Sequence, residues 1–204
     1  MNYELAYRVG FHPWEQAEAN RPFVDRIGEL LDEEELGREP PYGAALDLGT
    51  GSGIWATQLA TRGWQVTGVD LVERALRRAD NRVKAAGVAV RLVHGDVTAL
   101  RAAGIESGFR LFLDTGTFHG LKDQQREAMA AEVDAVAAPD ASLLMLAWPR
   151  RRRPSIRGVD RSEIERAFPS WSVTDVGPSH FQVPKLVQMV VNPDEHWYRL
   201  RRSG

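Results

Sequence analysis

The sequence predicts one α/β domain built around a doubly wound, mostly parallel sheet. Its 204 residues, 43% of them hydrophobic, are enough for one good core. From Ala44 to Trp148, short apolar runs alternate with amphipathic helical segments, and the glycine-rich turn LDLGTGSG follows the first run. Strands that alternate with helices of this length form βαβ units, whose parallel sheet is covered on both faces.

The individual elements follow from apolar periodicity and from helix-breaking residues. An N-terminal helix carries apolar positions from Phe23 to Leu31 and ends near Gly37. The runs that predict the five parallel strands are ALDLG, WQVTGVDL, VAVRLVHGD, FRLFLDTG and SLLMLAW. Helices are predicted over residues 52–61, 72–86, 123–137 and 160–168. After the loop PRRRRP, the segments SWSVTDVG and KLVQMVVN predict two more strands.

Composition excludes several classes of function. The formal net charge is only −2, so no global field attracts nucleic acid or an anionic membrane surface. No apolar stretch reaches the 18 or so residues that span a bilayer, and the first residues, MNYE, do not begin a signal peptide. The absence of cysteine removes disulfides, thiolate nucleophiles and cysteine metal sites. We therefore expect a cytoplasmic protein without a nucleic-acid or membrane partner.

The stretch ALDLGTGSGIW raises the question of which ligand its glycines hold. A phosphate-binding loop needs a Lys-Ser or Lys-Thr pair after the glycines, whereas Ile54 and Trp55 follow here. The dinucleotide fingerprint needs a small residue at its sixth position, which is Ile54 when counted from Gly49. The first alternative fails, and the second, an NAD-linked oxidoreductase, is weakened.

Acidic residues at four strand ends favour another adenosine ligand. Asp70 ends the second strand, 21 residues after Gly49, where a carboxylate can bind both ribose hydroxyls. In HGDV, Asp96 and the Val97 amide suit an adenine amino group and ring nitrogen. With Asp47 and Asp114 on the first and fourth strands, the set suits a cationic, amino-bearing adenosine better than a pyrophosphate.

With these motifs the sequence resembles the class I S-adenosylmethionine-dependent methyltransferases, from about Ala44 to Trp148. LDLGTGSG, VTGVD, GDV and FLDTGTFHGL are similar to successive motifs of that family. The resemblance implies a Rossmann-like domain whose seven-stranded sheet has an antiparallel last strand. PWE, followed by a helix, is similar to the small thiopurine- and tellurite-type branch, in which an N-terminal tryptophan, here Trp14, covers the cofactor.

The resemblance also divides the chain and assigns its cofactor site. Residues 1–43 form an N-terminal helical lid, and residues 44–204 form the methyltransferase domain. Asp47 orients the cofactor's amino group through backbone or water, and Trp14 covers the cofactor. The cofactor-binding residues are Trp14, Asp47, Gly49, Gly51, Gly53, Asp70, Leu71, Asp96, Val97 and Asp114.

The loop TGTFHGL after the fourth strand carries the candidate base. His119 lies five residues past Asp114, and an imidazole can take a proton from an attacking hydroxyl near neutral pH. Asp114, His12 and His180 are the alternatives. Trp14, Trp55 and Trp148 are candidate aromatic neighbours of the sulfonium, or else core residues. The arginine run 150–153 is either a solvated loop or a docking point for an anionic or polyhydroxylated acceptor.

The absence of one sequence motif excludes a class of methyl acceptor. The Asn/Asp-Pro-Pro-aromatic tetrapeptide of amino-directed nucleic-acid methyltransferases is replaced by Asp114-Thr115-Gly116-Thr117. We therefore expect O-methylation of a small molecule or oligosaccharide. The chain also has a general likeness to a sugar O-methyltransferase of polysaccharide assembly, which suggests the reducing-end 1-hydroxyl of a methylated mannoside as the acceptor. The same likeness suggests a requirement for Mg²⁺, for which the sequence shows no evident ligand set. The alternatives are detoxifying methylation at sulfur, nitrogen or a metalloid, and a non-catalytic adenosine-binding module. A homodimer is compatible with the sequence, which does not decide the oligomeric state.

Overall fold

Seven strands form one mixed sheet in a computed structural model that describes residues 17–150, 157–182 and 194–203. The strands are β1 Ala44–Leu48, β2 Gln65–Asp70, β3 Val90–His94, β4 Phe109–Asp114, β5 Ala137–Ala147, β6 Trp171–Pro178 and β7 His196–Arg202. The α-helices are α1 Arg21–Glu35, α2 Ile54–Arg62, α3 Glu73–Ala86, α4 Asp123–Val136 and α5 Arg161–Ala167. Short 3₁₀ turns cover Val97–Ala99 and Phe118–Gly120.

The strand order is β3-β2-β1-β4-β5-β7-β6. The first five strands are parallel to one another, and β7 runs antiparallel between β5 and β6. This topology confirms the predicted Rossmann-like class and its antiparallel last strand. From β1 the chain first builds outward through β2 and β3, and then returns to add β4 on the other side. Ligands of such folds bind in the crevice at the carboxyl ends of the strands, where the order reverses.

One strand of the described residues was not predicted from the sequence, since His196–Arg202 forms β7. The predicted strand KLVQMVVN, at residues 185–192, lies outside the described residues and stays a prediction. The strand β7 carries two arginines, Arg199 and Arg201, on one face. At these two positions its sequence therefore lacks the apolar residues that would have indicated a buried strand. Both arginines pair with the buried Glu34 of α1, and Arg199 also pairs with Glu33, so two carboxylates balance the two positive charges.

Helix α1 packs against one face of the sheet and is part of the hydrophobic core there. Phe23, Ile27, Leu30 and Leu31 repeat at helical spacing, and each is at most 3% exposed. They pack with side chains of β1, α2, β5 and β7. Burial of each of these side chains contributes about 1.5–3 kcal/mol. The described part of the N-terminal region is thus fixed to the sheet, and the boundary at residue 43 stays a prediction.

Within the described residues, no helix combines the length and the apolar character that a bilayer-spanning segment requires.

Candidate cofactor and acceptor site

The turn between β1 and α2 is held in a conformation that favours glycine. Gly49, Gly51 and Gly53 have φ values of +74°, +56° and +75°, a left-handed region that other residues rarely adopt. The amides of Gly49 and Thr50 both donate to the carbonyl of Val69, each at 2.9 Å. The turn is therefore fixed to the end of β2, and the two strand ends form one continuous wall of the crevice.

Asp70 lies at the end of β2 and is organised by two backbone donors. Its Oδ2 accepts the Gly51 amide and its Oδ1 accepts the Val72 amide, each at 2.8 Å. Burial raises the pKa of Asp70, and these amides oppose the shift. Each carboxylate oxygen keeps a second lone pair for an incoming hydroxyl. The neighbouring Leu71 is 64% exposed, an apolar side chain on which a flat ring can pack.

Asp96 follows β3 and begins the 3₁₀ turn Val97–Ala99. Its Oδ1 accepts both the amide and the hydroxyl of Thr98, at 2.9 and 2.7 Å. Oδ2 has no hydrogen-bond partner among the described residues, so it is the oxygen that an amino group can reach. The amide of Gly95 donates to the Asp70 carbonyl at 3.0 Å, which links this loop to the end of β2. Val97 is 7% exposed and anchors the turn in the core.

Asp47 lies inside β1 and is completely buried. Its Oδ2 accepts the Thr50 hydroxyl at 2.6 Å, while Oδ1 forms no hydrogen bond with the described residues. Burial raises the pKa of Asp47 to about 7, and the charges of Asp70 and Asp114 add to the shift. The Thr50 hydroxyl and the Ala56 amide oppose it. A buried carboxyl group with a free oxygen is suited to pair with a cation beside the turn.

Asp114 is turned into the loop that follows β4. Its carboxylate accepts the amides of Gly116, Thr117 and Phe118 at 2.8, 2.6 and 2.9 Å. The group is completely buried, and burial raises its pKa to about 6 against the effect of these amides. The structure gives this carboxylate a loop-shaping role. Direct contact of Asp114 with cofactor or acceptor, or a catalytic role, stays a prediction.

His119 lies in the 3₁₀ turn Phe118–Gly120, with its ring centroid 6.3 Å from that of Trp148. Its Nδ1 is buried and has no hydrogen-bond partner among the described residues. Burial lowers the pKa of His119 to about 4; the positive charge of Arg126 adds to the shift, and the Leu146 backbone opposes it. The imidazole is therefore neutral at pH 7, and it is a weaker base than an ordinary histidine.

The family is decided by residues 45–140, which match the sequence model of a methyltransferase domain. The matched region contains the glycine turn and the four aspartates Asp47, Asp70, Asp96 and Asp114. Residues 45–140 of the chain are therefore described as a methyltransferase domain.

Two curated relatives match parts of this methyltransferase. The 2-heptyl-1-hydroxyquinolin-4(1H)-one methyltransferase of Mycobacteroides abscessus is 28% identical over 68% of this chain and 63% of its own length. A D-threonate kinase of Bordetella bronchiseptica is 32% identical over 72% of this chain but only 39% of its own length. The chain thus spans less than two thirds of the length of each relative.

A solved structure shows the same fold. The 1,6-didemethyltoxoflavin-N1-methyltransferase of Burkholderia thailandensis was solved with 1,6-didemethyltoxoflavin and S-adenosylhomocysteine bound. It aligns with a TM-score of 0.71 over all of this chain and 86% of its own, at 19% identity. At this identity, the likeness shows the fold alone.

Arg126 of the methyltransferase is a buried site residue that sequence reasoning missed. It is 3% exposed, and its guanidinium donates to the carbonyls of Phe118, His119 and Gly158 at 3.2, 2.8 and 2.6 Å. It thereby joins the loop after β4 to the segment after β5. The available signal was a charged residue on the apolar face of α4, with Met129, Ala130 and Val133.

The other predicted residues fall into three groups. Trp55 is 6% exposed and packs edge-on against Phe23, so it is a core residue. His180 is exposed, and Arg150 pairs with Glu163. Trp14, His12 and residues 151–153 lie outside the described residues. Within the described part of the methyltransferase, no three His, Asp or Glu side chains cluster as metal ligands, so the predicted Mg²⁺ has no ligand set there.

Proposed function

We propose that this chain transfers the methyl group of S-adenosylmethionine to a heteroatom of a small-molecule acceptor, with a hydroxyl oxygen as the first candidate. The observation that carries the proposal is the convergence of the glycine turn, Asp70 and Asp96 on one crevice, connected by backbone hydrogen bonds. This arrangement offers a carboxylate for a ribose next to an acceptor for an adenine amino group.

The binding roles follow from the free atoms of each residue. Asp70 binds the two ribose hydroxyls with the lone pairs that the Gly51 and Val72 amides leave free. Leu71 packs on the adenine ring, and Asp96 with the Val97 amide binds its polar edge. Asp47 and the glycine turn hold the methionine portion, whose ammonium group offsets the buried carboxylate. Trp14 covers the cofactor, as the family resemblance implies.

When it is bound, the cofactor supplies a methyl carbon that is already activated by its sulfonium. The residues around it have to align the acceptor heteroatom with that carbon, exclude water and manage one proton. Arg126 fixes the loop 118–119 against Gly158 on the acceptor side. Its three carbonyl contacts make this wall of the pocket rigid before the acceptor arrives.

The lowered pKa of His119 limits which acceptor hydroxyl groups this residue can help to deprotonate. A base whose pKa is about 4 gives little help to an alkanol, which holds its proton strongly. An acidic hydroxyl on a planar heteroaromatic ring needs less help and can stack beside the Trp148 ring. The relative that is named for a 1-hydroxyquinolin-4-one supports this acceptor class. The reducing-end hydroxyl of a methylated mannoside is the sugar candidate and rests on the family resemblance alone.

Methylation at a ring nitrogen is a second candidate. A neutral ring nitrogen offers a lone pair without prior loss of a proton, which agrees with the weak basicity of His119. The structural neighbour from Burkholderia thailandensis is named as an N1-methyltransferase.

The test is methyl transfer from isotopically labelled S-adenosylmethionine to three acceptors: 2-heptyl-1-hydroxyquinolin-4(1H)-one, a methylated mannoside and 1,6-didemethyltoxoflavin. We expect turnover of the hydroxyquinolone to exceed that of the mannoside by at least about tenfold, because its hydroxyl is more acidic. The Asp70→Asn variant serves as the cofactor-binding control. Preferred turnover of the mannoside would overturn the acidic-hydroxyl assignment, and preferred turnover of the toxoflavin precursor would select nitrogen.

A further inference from the structure

A histidine and a carboxylate form a pair at the start of the final hairpin. His196 is the first residue of β7, and its Nδ1 lies 3.0 Å from Oδ2 and 3.2 Å from Oδ1 of Asp175 on β6. The amide of Gly177 donates to Asp175 Oδ1 at 2.8 Å, so a backbone group of β6 also holds the carboxylate. The two side chains are 41% and 38% exposed, so the pair is open to solvent and to a ligand.

The pair lies at the edge of the sheet where the acceptor is expected. His196 is the register partner of Ala147 on β5, and Trp148 follows Ala147 directly. The ring of His119 lies 6.3 Å from that of Trp148 on the side of β4. His196 and His119 therefore lie on either side of β5, at the sheet edge from which Trp148 continues. Because neighbouring strands are about 4.8 Å apart, β7 lies roughly 10 Å from β4, a span that one small molecule can bridge.

The contact with Asp175 defines the tautomer of His196. A carboxylate only accepts hydrogen bonds, so in the neutral ring Nδ1 carries the proton and Nε2 presents a lone pair. A carboxylate on Nδ1 also orients the ring and stabilises the imidazolium that forms when Nε2 takes up a proton. His119 has no such partner, because its Nδ1 is buried without a hydrogen bond among the described residues.

We propose that His196 is the proton acceptor of the methyl-transfer reaction and that Asp175 is its positioning residue. This proposal rests on the proposed function. As the acceptor heteroatom forms its bond to the methyl carbon, the carbon–sulfur bond breaks and its electron pair returns to sulfur. The heteroatom's proton passes to Nε2 of His196. The half-exposed imidazolium then releases the proton to water.

The kinetic test uses the best acceptor among the three probes named above. With an acceptor that loses a proton, His196→Ala is expected to lower kcat by about tenfold or more and Asp175→Asn by a smaller factor, with little change in S-adenosylhomocysteine affinity. Added imidazole should restore part of the activity of His196→Ala, an effect that a purely structural role would not produce. Asp134→Asn is the matched control, since Asp134 contacts Trp171 and Arg202 at the opposite end of the same hairpin.

A second measurement does not depend on turnover. Nitrogen NMR of the wild-type imidazoles with S-adenosylhomocysteine present should show His196 protonated at Nδ1. An Nε2-protonated tautomer, or a His196→Ala variant with wild-type kcat, would overturn the assignment of the base. Absence of S-adenosylhomocysteine binding by the wild type would instead reject the proposed function, and the role of His196 with it.

Discussion

The amide of Gly51 donates a hydrogen bond to the carboxylate of Asp70 at 2.8 Å. This bond joins the turn after β1 to the end of β2, and these are the two segments proposed to hold the methionine and ribose portions of the cofactor. A change at either residue is therefore expected to affect both segments.

Asp70→Asn should weaken S-adenosylhomocysteine binding by about 1.5–3 kcal/mol, the range for hydrogen bonds to a charged group. The two oxygens of Asp70 accept the Gly51 and Val72 amides, and an asparagine would turn its NH₂ group toward one of these donors. Titration calorimetry measures the loss. Asp80→Asn, an exposed carboxylate that pairs with Lys84 on α3, is the control. Equal affinities for the two variants would remove Asp70 from the site.

Gly49→Ala should destabilise the fold by more than its unfavourable backbone conformation alone explains. A Cβ at Gly49 would lie 2.1 Å from the Thr117 hydroxyl oxygen, whereas a Cβ at Gly87, also at positive φ, meets nothing within 4 Å. Both alanines carry the left-handed cost of about 1–2 kcal/mol, but only the first adds a clash, which should cost at least about 1 kcal/mol more. Chemical denaturation compares the two variants.

A second substitution, Thr117→Ala, is the control for the clash between a Cβ at position 49 and the Thr117 hydroxyl oxygen, because it removes that oxygen. In the double variant the remaining close atom is the Cβ of residue 117, at 3.3 Å. Gly49→Ala and Thr117→Ala together should therefore cost less than the sum of the single changes. If the changes in unfolding free energy of the two single variants simply add in the double variant, residues 49 and 117 are not in steric conflict.

Binding of S-adenosylhomocysteine should release a proton from Asp47. With a pKa of about 7, this group is mostly protonated at pH 6.5, and a cationic amino group beside it would favour the charged form. Affinity should therefore weaken as the pH falls from 7 to 6. Calorimetry in two buffers with different ionisation enthalpies counts the protons. Asp47→Asn should abolish the release, and a wild-type count of zero would separate Asp47 from the amino group.

The raised pKa of Asp47 also has a consequence for the unliganded protein. The folded state binds a proton that the unfolded state, with an ordinary aspartate, loses above about pH 4. This group's stabilising contribution is accordingly present at low pH and lost as the pH rises through 7. Asp47→Asn should flatten that part of the unfolding free-energy profile.

His119→Gln should leave the pH dependence of kcat unchanged between pH 6 and 8. With a pKa of about 4, the imidazole is neutral over this whole range, so its protonation state does not vary. We expect a decrease in kcat of less than about tenfold, which reflects lost packing beside Trp148. Steady-state rates across the range test this. Disappearance of a histidine-like ionisation from the profile would restore His119 as the base, as its position in the sequence predicts.

Much of the architecture could be predicted because its determinants are local in the sequence. The runs that became β1 to β5 are rich in apolar residues, and glycines end two of the helices between them. Gly63 and Gly87 cap α2 and α3 in the left-handed conformation. The crevice follows from the same pattern, because parallel strands that end in Asp70 and Asp96 place these acids on one edge.

The remaining features depend on tertiary partners. From the sequence alone, Arg199 and Arg201 are expected on the surface. In the fold, both of them pair with Glu34 of α1. The His119 pKa is lowered by packing against distant segments, and Asp114 is enclosed by amides of a loop whose conformation no periodicity encodes. The partnership of His196 with Asp175 likewise requires the register of the final hairpin.

The most direct test of the account is calorimetric titration of the wild-type protein with S-adenosylhomocysteine and, in parallel, with NAD. Both ligands contain an adenosine, but only the first pairs it with an amino acid in place of a pyrophosphate. The account predicts saturable one-site binding of S-adenosylhomocysteine, weakened by Asp70→Asn, and NAD binding that is at least about 100-fold weaker, a difference of about 2.7 kcal/mol. Equal or tighter binding of NAD, or no binding of S-adenosylhomocysteine, would contradict it.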